Sequence, residues 1–238
     1  MPTLKNTLLS TPPYQTKRII ELLKYTETHY REDNAPKLYD EVLLSSRKDK
    51  GMVSDDFLEL IYETLKAFNM DTKGAKLSEL SVFKRSIKKH AQTIQSLVGF
   101  KLEKVKKDDR TLAVAIPALF NLFDDHQLVQ TESPLVTFSK TMHFLLPDLF
   151  MPIDRKFTLQ FFYSRPPYKK VNYGLYHLTN TLEKQKECFL QVFEQFRQFA
   201  HTHSGILKEQ VDKNSRWNRN IPKVIDNIII AYERENME

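Results

Sequence analysis

Glycine is scarce in this chain, and its scarcity restricts the fold more than any other feature of the sequence. There are five glycines among 238 residues, about 2%, where a typical chain has about 7%. Tight turns and phosphate-binding loops use glycine where the backbone needs a positive φ. The sequence therefore argues against β-sandwiches, dinucleotide-binding folds and glycine-rich phosphate loops.

Apolar residues recur at helical spacing along most of the chain and predict an all-α fold with no substantial sheet. We expect one globular helical domain over 1–238, or alternatively an N-terminal helical lobe at 1–76 and a main body at 77–238. The apolar segment 112–123 contains Pro117 and is ambiguous between a kinked helix and a helix start. The predicted helices are 19–30, 54–68, 78 or 81 to 99, two within 133–163, 181–203 and 221–234.

The composition limits the partners and the compartment of such a chain. It carries 36 Lys and Arg against 30 Asp and Glu, a formal charge of +6, with a pI near 9.2. This excess of cations suits an acidic partner, with nucleic acid the first to consider. The single cysteine, Cys188, excludes an internal disulfide or a thiolate zinc cluster and fits a reducing compartment. No apolar run approaches the ~20 residues of a membrane helix, so we expect a cytoplasmic protein with no membrane partner. We also expect no metal and no cofactor.

The segment 133–163 contains the most informative pattern in the chain. Its apolar residues predict two helices joined by a short bend, with Pro147 ending the first helix. Asp154 follows Pro152 and is placed to cap the second helix. This arrangement brings Lys140, on the first helix, and Asp154, at the start of the second, toward one cleft.

The same segment resembles the catalytic region of helix-hairpin-helix DNA glycosylases. In that family a hairpin Leu-Pro-Gly-Val-Gly-x-Lys-Thr-Ala is followed about a dozen and a half residues later by Val-Asp-Thr-His-Val. The corresponding residues here are Pro134, Val136, Lys140 and Thr141, then Ile153 and Asp154. Leu135 and Thr137 stand where the family has the hairpin glycines. Residues 139–150 are also similar to uncharacterised bacterial helical proteins with a Ser-Lys-x-x-His-Phe-Leu-x-Pro-x-Leu-Phe signature, which brings no known activity.

The glycosylase resemblance implies a helical architecture of that family and a role for each charged residue. Asp154 would stabilise the oxocarbenium-like sugar as the base departs, and Lys140 would attack C1′ as in the lyase members of the family. His143 lies three residues after Lys140 and could tune it or bond Asp154. Each residue also has an ordinary structural interpretation: a helix cap for Asp154, a solvated helix residue for Lys140, and a hydrogen-bonded core histidine for His143.

Basic residues cluster in three further places and suggest contacts with phosphate. Taken alone, each cluster could equally be a solvated charged face. Trp217 could stack on an unpaired base or could instead anchor the last helix. The candidate nucleic-acid-binding residues are Lys84, Arg85, Lys88, Lys89, Lys101, Lys104, Arg155, Lys156, Arg216, Trp217 and Arg219.

Two functions remain open on the sequence alone. The first is a nucleic-acid-binding helical protein, with DNA favoured over RNA, that either cleaves the N-glycosidic bond of a base flipped from the stack or is an inactive relative of such enzymes. The second is a non-catalytic helical module that engages a protein partner in a bacterial defence or regulatory system.

Overall fold

The computed structural model describes residues 4, 6–8, 16–29, 34–49, 53–70, 76–120, 122, 128, 134–163, 169–170, 176–177, 181–213 and 217–236. The fold is all-α, as the sequence predicts. Regular strands in the described part are limited to an antiparallel pair, β1 (Lys169–Lys170) and β2 (Tyr176–His177). The helices are α1 (Thr16–His29), α2 (Asn34–Asp49), α3 (Asp55–Ala67), α4 (Leu80–Lys89), α5 (Ala91–Ser96), α6 (Arg110–Leu119), α7 (Pro134–Leu145), α8 (Gln160–Phe162), α9 (Leu182–Thr202), α10 (Ser204–Asp212) and α11 (Ile221–Glu235).

Short polar side chains begin several of these helices. Ser54 accepts a hydrogen bond from the backbone N–H of Phe57 at the start of α3, and Asp109 accepts from two N–H groups of α6. Thr181 caps α9, and Asn220 caps α11 in front of Pro222. These caps satisfy N–H groups that a helix leaves without an internal partner, which is why the helices begin where they do.

The structure departs from the predicted helices at three points. Residues 34–49 form α2, a helix that the mixed polar pattern of this stretch did not reveal. The helix predicted from 78 or 81 to 99 is broken at His90 into α4 and α5, and Gly99 ends the following turn with φ +87°. A separate helix, α10, follows α9 directly after His203. In the segment 112–123, Pro117 lies near the C-terminal end of α6.

An aromatic core holds α6, α7 and α9 together. The ring of Phe189 packs edge-on against Phe120 and Phe138, at centroid distances of 5.4 and 5.3 Å. Phe150 and Phe193 complete the group around it. Aromatic pairs in this geometry add to the free energy gained by burying the rings, so α7 is held firmly from the side of α9.

Helix α11 occupies the middle of the fold and is buried on nearly every side. It packs against α1, α9, α10 and the helical turn that follows Asp154. A helix that is apolar all round belongs in a core, and Val224, Ile225, Ile228 and Ile229 are fully buried. Within the described residues, no helix combines the length and the apolar character needed to cross a membrane.

Candidate active site

Two hydrogen bonds fasten the segment after α7 to α7 itself. The hydroxyl of Ser139 accepts from the backbone N–H of Ile153 at 3.0 Å and donates to the carbonyl of Val136. The Nδ1–H of His143 donates to the carbonyl of Phe150 at 2.7 Å. Ser139 is the neighbour of Lys140, and Ile153 is the neighbour of Asp154, so the first of these bonds brings the lysine and the aspartate together.

His143 is a core residue with both ring nitrogens occupied. A carbonyl only accepts, so Nδ1 carries the proton, and Nε2 accepts from the hydroxyl of Tyr39 at 2.7 Å. Burial is the main cause that lowers the pKa of His143 to about 3, so the ring is neutral near pH 7. This corrects the catalytic role considered for His143, because neither nitrogen is available to Lys140 or Asp154. The residue instead positions the segment 146–153.

Asp154 caps a short π-helical turn, Arg155–Leu159, that runs on into α8. Its carboxylate accepts hydrogen bonds from the backbone N–H groups of Lys156 and Phe157, at 2.7 and 3.1 Å. Its own N–H donates to the hydroxyl of Thr158. The side chain remains half-buried. The carboxylate is therefore held rigidly at a helix N-terminus, a favourable place for negative charge, and it keeps access to solvent.

Lys140 points toward the same region from α7. Its side chain is half-buried, and its ammonium lies 5.4 Å from the ring centroid of Phe68. Burial lowers the pKa of Lys140, while the charges of Asp154 and Asp226 oppose that shift. A lysine becomes a nucleophile at neutral pH when its surroundings disfavour the ammonium form. The two residues predicted from the sequence thus lie close enough for the charge of one to act on the other.

Helix α11 adds an ion pair that the sequence analysis did not include in the site. The Nζ of Lys223 lies 2.6 Å from Oδ2 of Asp226, and the aspartate side chain is only 5% exposed. Burial raises the pKa of Asp226, and Lys223 opposes this effect. Four charged side chains act electrostatically on Lys140: Asp154, Arg155, Lys223 and Asp226. We call these four residues and Lys140 the charge cluster.

Asp226 left a signal in the sequence that could have been found. It sits between Ile225 and Asn227 in a helix whose other positions are largely apolar. A carboxylate within such a helix must be buried, and a buried charge needs a partner. Lys223, one helical turn earlier, is that partner. Asp226 lies near Asp154 and Lys140 because α11 packs on the π-helical turn. A single sequence does not reveal that packing.

The basic residues of α4 lie in a different environment from the one their spacing suggested. Lys84 pairs with Glu59 at 2.7 Å, and Lys88 pairs with Asp55 at 2.5 Å. Both acids belong to α3, which packs against α4. The charges of these two lysines are therefore compensated within the fold, and the prediction that they contact phosphate stays a prediction. Arg85, Lys89, Lys101 and Lys104 remain exposed.

The remaining candidates are divided among several environments. Arg219 makes two hydrogen bonds to Asp40 of α2, at 3.0 and 3.1 Å, and thereby joins α2 to the start of α11. Trp217 is half-buried, and its carbonyl accepts from the side chain of Asn227. Lys156 is exposed and lies near the ring of Phe157. Arg216 is outside the described residues.

Comparison with known proteins adds no relative. No family model, curated protein or solved structure matches the chain. Among the residues that the structure describes, no group of three or more His, Cys, Asp or Glu side chains is arranged to hold a metal ion. The charge cluster and its surroundings are therefore the features that indicate a function.

Proposed function

We propose that this protein binds nucleic acid and cleaves the N-glycosidic bond of an unpaired base, with Lys140 and Asp154 as the reacting and stabilising groups. The observation that supports the proposal is the meeting of these two side chains in one charge cluster. The hydrogen bond from Ile153 to Ser139 fixes this meeting in the backbone. The resemblance to helix-hairpin-helix glycosylases suggests the chemistry that such a pair performs.

Asp154 is suited to stabilise a cationic sugar. As the base leaves, positive charge develops on the sugar ring, and a preorganised negative group nearby lowers the energy of that transition state. The carboxylate is held by two backbone N–H groups, so it need not reorganise during the reaction. Its partial exposure leaves room for the sugar to approach.

Lys140 is suited to attack the same sugar carbon. The neutral amine forms a bond to C1′ while the C1′–N bond breaks, and the base departs with that electron pair and takes a proton that the amine loses. The C1′–O4′ bond then opens, the nitrogen gives its remaining proton to O4′, and an imine links Lys140 to the sugar. The lowered pKa of Lys140 raises the fraction of neutral amine available for the first step.

The surface around the cluster suits a polyanion better than a neutral partner. Lys140, Arg155 and Lys223 outnumber Asp154 and Asp226 within the cluster. Lys156 is exposed directly beside it, and Arg85, Lys89, Lys101 and Lys104 are exposed elsewhere on the molecule. Each cation that contacts a phosphate releases a counterion, so binding should weaken steeply as salt is added.

Base release from oligonucleotides tests the proposal directly. A panel of duplexes, each with one damaged or mismatched base, is incubated with the wild-type protein and with Asp154→Asn, and the freed base is quantified. We expect Asp154→Asn to reduce release by about 100-fold or more, because a stabilising charge is lost, and to leave binding within a few-fold of wild type.

A matched variant makes the result specific. Asp148 is an exposed aspartate in the turn after α7, and Asp148→Asn should release base at the wild-type rate. Equal release by wild type and Asp154→Asn, or no release from any duplex, would contradict the proposal. Self-association unaffected by nucleic acid, together with no release, would favour the protein-interaction module instead.

A further inference from the structure

Phe68 is partly exposed to solvent immediately beside Lys140. The residue is 37% exposed, although most phenylalanines in the described part of the chain are buried. Lys140 Nζ lies 5.4 Å from the ring centroid. Phe68 is the last residue of the helix predicted over 54–68 and the C-terminal cap of α3 in the structure.

The ring of Phe68 is held rigidly from behind. It stacks on Phe144 of α7 at a centroid distance of 6.4 Å and an interplanar angle of 29°. Phe144 in turn meets the edge of Tyr39, whose hydroxyl bonds His143. The backbone is equally fixed, since the Phe68 N–H bonds the carbonyl of Thr64 and Asn69 turns the chain with φ 57°. A rigid exposed ring loses little freedom when a ligand covers it.

Two buried hydroxyls face the same side of α7. Thr137 and Thr141 are fully buried, and neither hydroxyl has a hydrogen-bond partner among the described residues. At 3.6 residues per turn, Thr137, Lys140, Thr141 and Phe144 fall within an arc of about 100°. A buried hydroxyl without a partner is costly, and each of the two keeps an unused hydrogen bond in the interior, out of contact with solvent.

We propose that Phe68 is the stacking platform for the nucleobase of the substrate, which places the sugar C1′ between Lys140 and Asp154. This inference rests on the proposed function and adds its binding subsite. A base is planar and aromatic, so it can cover the exposed part of the Phe68 ring. Stacking on an aromatic ring tolerates all bases, so the platform sets the class of ligand and does not choose among bases.

Fluorescence of 2-aminopurine tests the platform. The probe is a duplex oligonucleotide with one 2-aminopurine opposite an abasic site, and the protein carries Asp154→Asn so that the bond stays intact. We expect binding to raise the fluorescence, because the base leaves its neighbours in the duplex, and we expect the affinity to depend on the ring of Phe68. Phe68→Leu should weaken binding about tenfold, whereas Phe68→Tyr, which keeps the ring, should stay within threefold.

Two controls separate the platform from general binding and from stability. The same duplex with an abasic site in place of 2-aminopurine should bind Phe68→Leu and the parent equally, because no base is present to stack. Leu190 of α9, an apolar residue that is 43% exposed, provides Leu190→Ala, which should leave both the binding and the fluorescence change as in the parent.

The outcomes distinguish this inference from the proposed function. If base release depends on Asp154 but Phe68→Leu binds the 2-aminopurine duplex as tightly as its parent does, the platform is overturned and the glycosidic function stands. Phe68→Leu could also weaken binding to the duplex with the base and to the duplex without it by the same factor. In that case the ring stabilises the fold and does not stack on the base, and the platform is likewise overturned. If no duplex binds and no base is released, both proposals fail together.

Discussion

Charged residues are used in opposite ways in two regions of this molecule. On the face between α3 and α4, Lys88 pairs with Asp55, whose side chain is 62% exposed. In the charge cluster, Lys223 pairs with Asp226, whose side chain is 5% exposed. Water and salt screen the first pair, and the protein surrounds the second. Two ion pairs made of the same residue types, Lys and Asp, therefore differ in how much they should stabilise the fold and in how strongly they can influence a reaction nearby.

The comparison also shows what local charge counts miss. The basic run of α4 looks available in the sequence, yet the acids that compensate it lie in α3, 25 and 33 positions earlier. In the charge cluster, the sequence predicts only that Lys140 approaches Asp154, because Lys223 and Asp226 lie far along the chain on α11. Tertiary packing decides which charges meet.

The largest effect should come from breaking the buried pair. Asp226→Leu leaves the Lys223 ammonium, 16% exposed, without its carboxylate, and removing one partner of a buried pair costs about 3 kcal/mol or more of unfolding free energy. Urea denaturation measures this loss. The double variant Lys223→Met with Asp226→Leu should recover most of it, because no unpaired charge remains. A loss below about 1 kcal/mol in the single variant would show that the pair is not buried as described.

A pH dependence of stability should follow from His143. Its pKa is about 3 in the fold and about 6.5 in the unfolded chain, so the unfolded state binds more protons between these values. Stability should therefore fall as the pH drops below about 6.5, by about 1.4 kcal/mol per pH unit from this residue once well below that value. Its contribution is fully lost only near pH 3.

Two further histidines also make the stability depend on pH below about 6.5, and their contribution must be separated from that of His143. Burial lowers the pKa of His90 and His203 as well. The unfolding free energies of wild type and His143→Gln are therefore compared at pH 7 and pH 5, and the difference between the two proteins should shrink at pH 5. An NMR titration of the wild-type ring provides a second readout. A His143 ring that protonates near pH 6 would contradict the buried network.

The smallest effect should come from releasing the lysines of α4. Asp55→Asn with Glu59→Gln removes the acids that pair with Lys84 and Lys88. If this face then contacts phosphate, oligonucleotide affinity should rise a few-fold and the salt dependence of binding should steepen by up to about two units. Glu63→Gln, whose partner Lys66 lies on the same helix, is the matched control. An unchanged salt dependence would show that this face lies away from the nucleic acid.

The helical class and the cap at Asp154 could be predicted from sequence because they depend on local patterns. Apolar spacing identified α3, α9 and α11, and short polar residues marked several of their starts. Helix α2 escaped because its apolar residues are interrupted by charges and its start contains Pro36. Local patterns carry no information about which distant helix supplies a partner, so Asp226 and Phe68 were missed.

The signature Ser-Lys-x-x-His also shows the difference between what local sequence predicts and what tertiary packing decides. The sequence grouped Lys140 with His143 as chemical neighbours. In the structure Ser139 and His143 hold the backbone of the following segment, at Ile153 and Phe150, and Lys140 alone faces the charge cluster. The physical reason is burial, since Ser139 and His143 are almost completely buried.

Reductive trapping on DNA shows directly whether Lys140 is the nucleophile. Wild-type protein is incubated with a base-containing duplex and borohydride, and the product is digested and sequenced by mass spectrometry. We expect a covalent DNA adduct on Lys140, absent from Lys140→Arg and retained in Lys184→Arg, which alters an exposed lysine of α9. No adduct, or an adduct spread over surface lysines and unchanged in Lys140→Arg, would contradict this expectation.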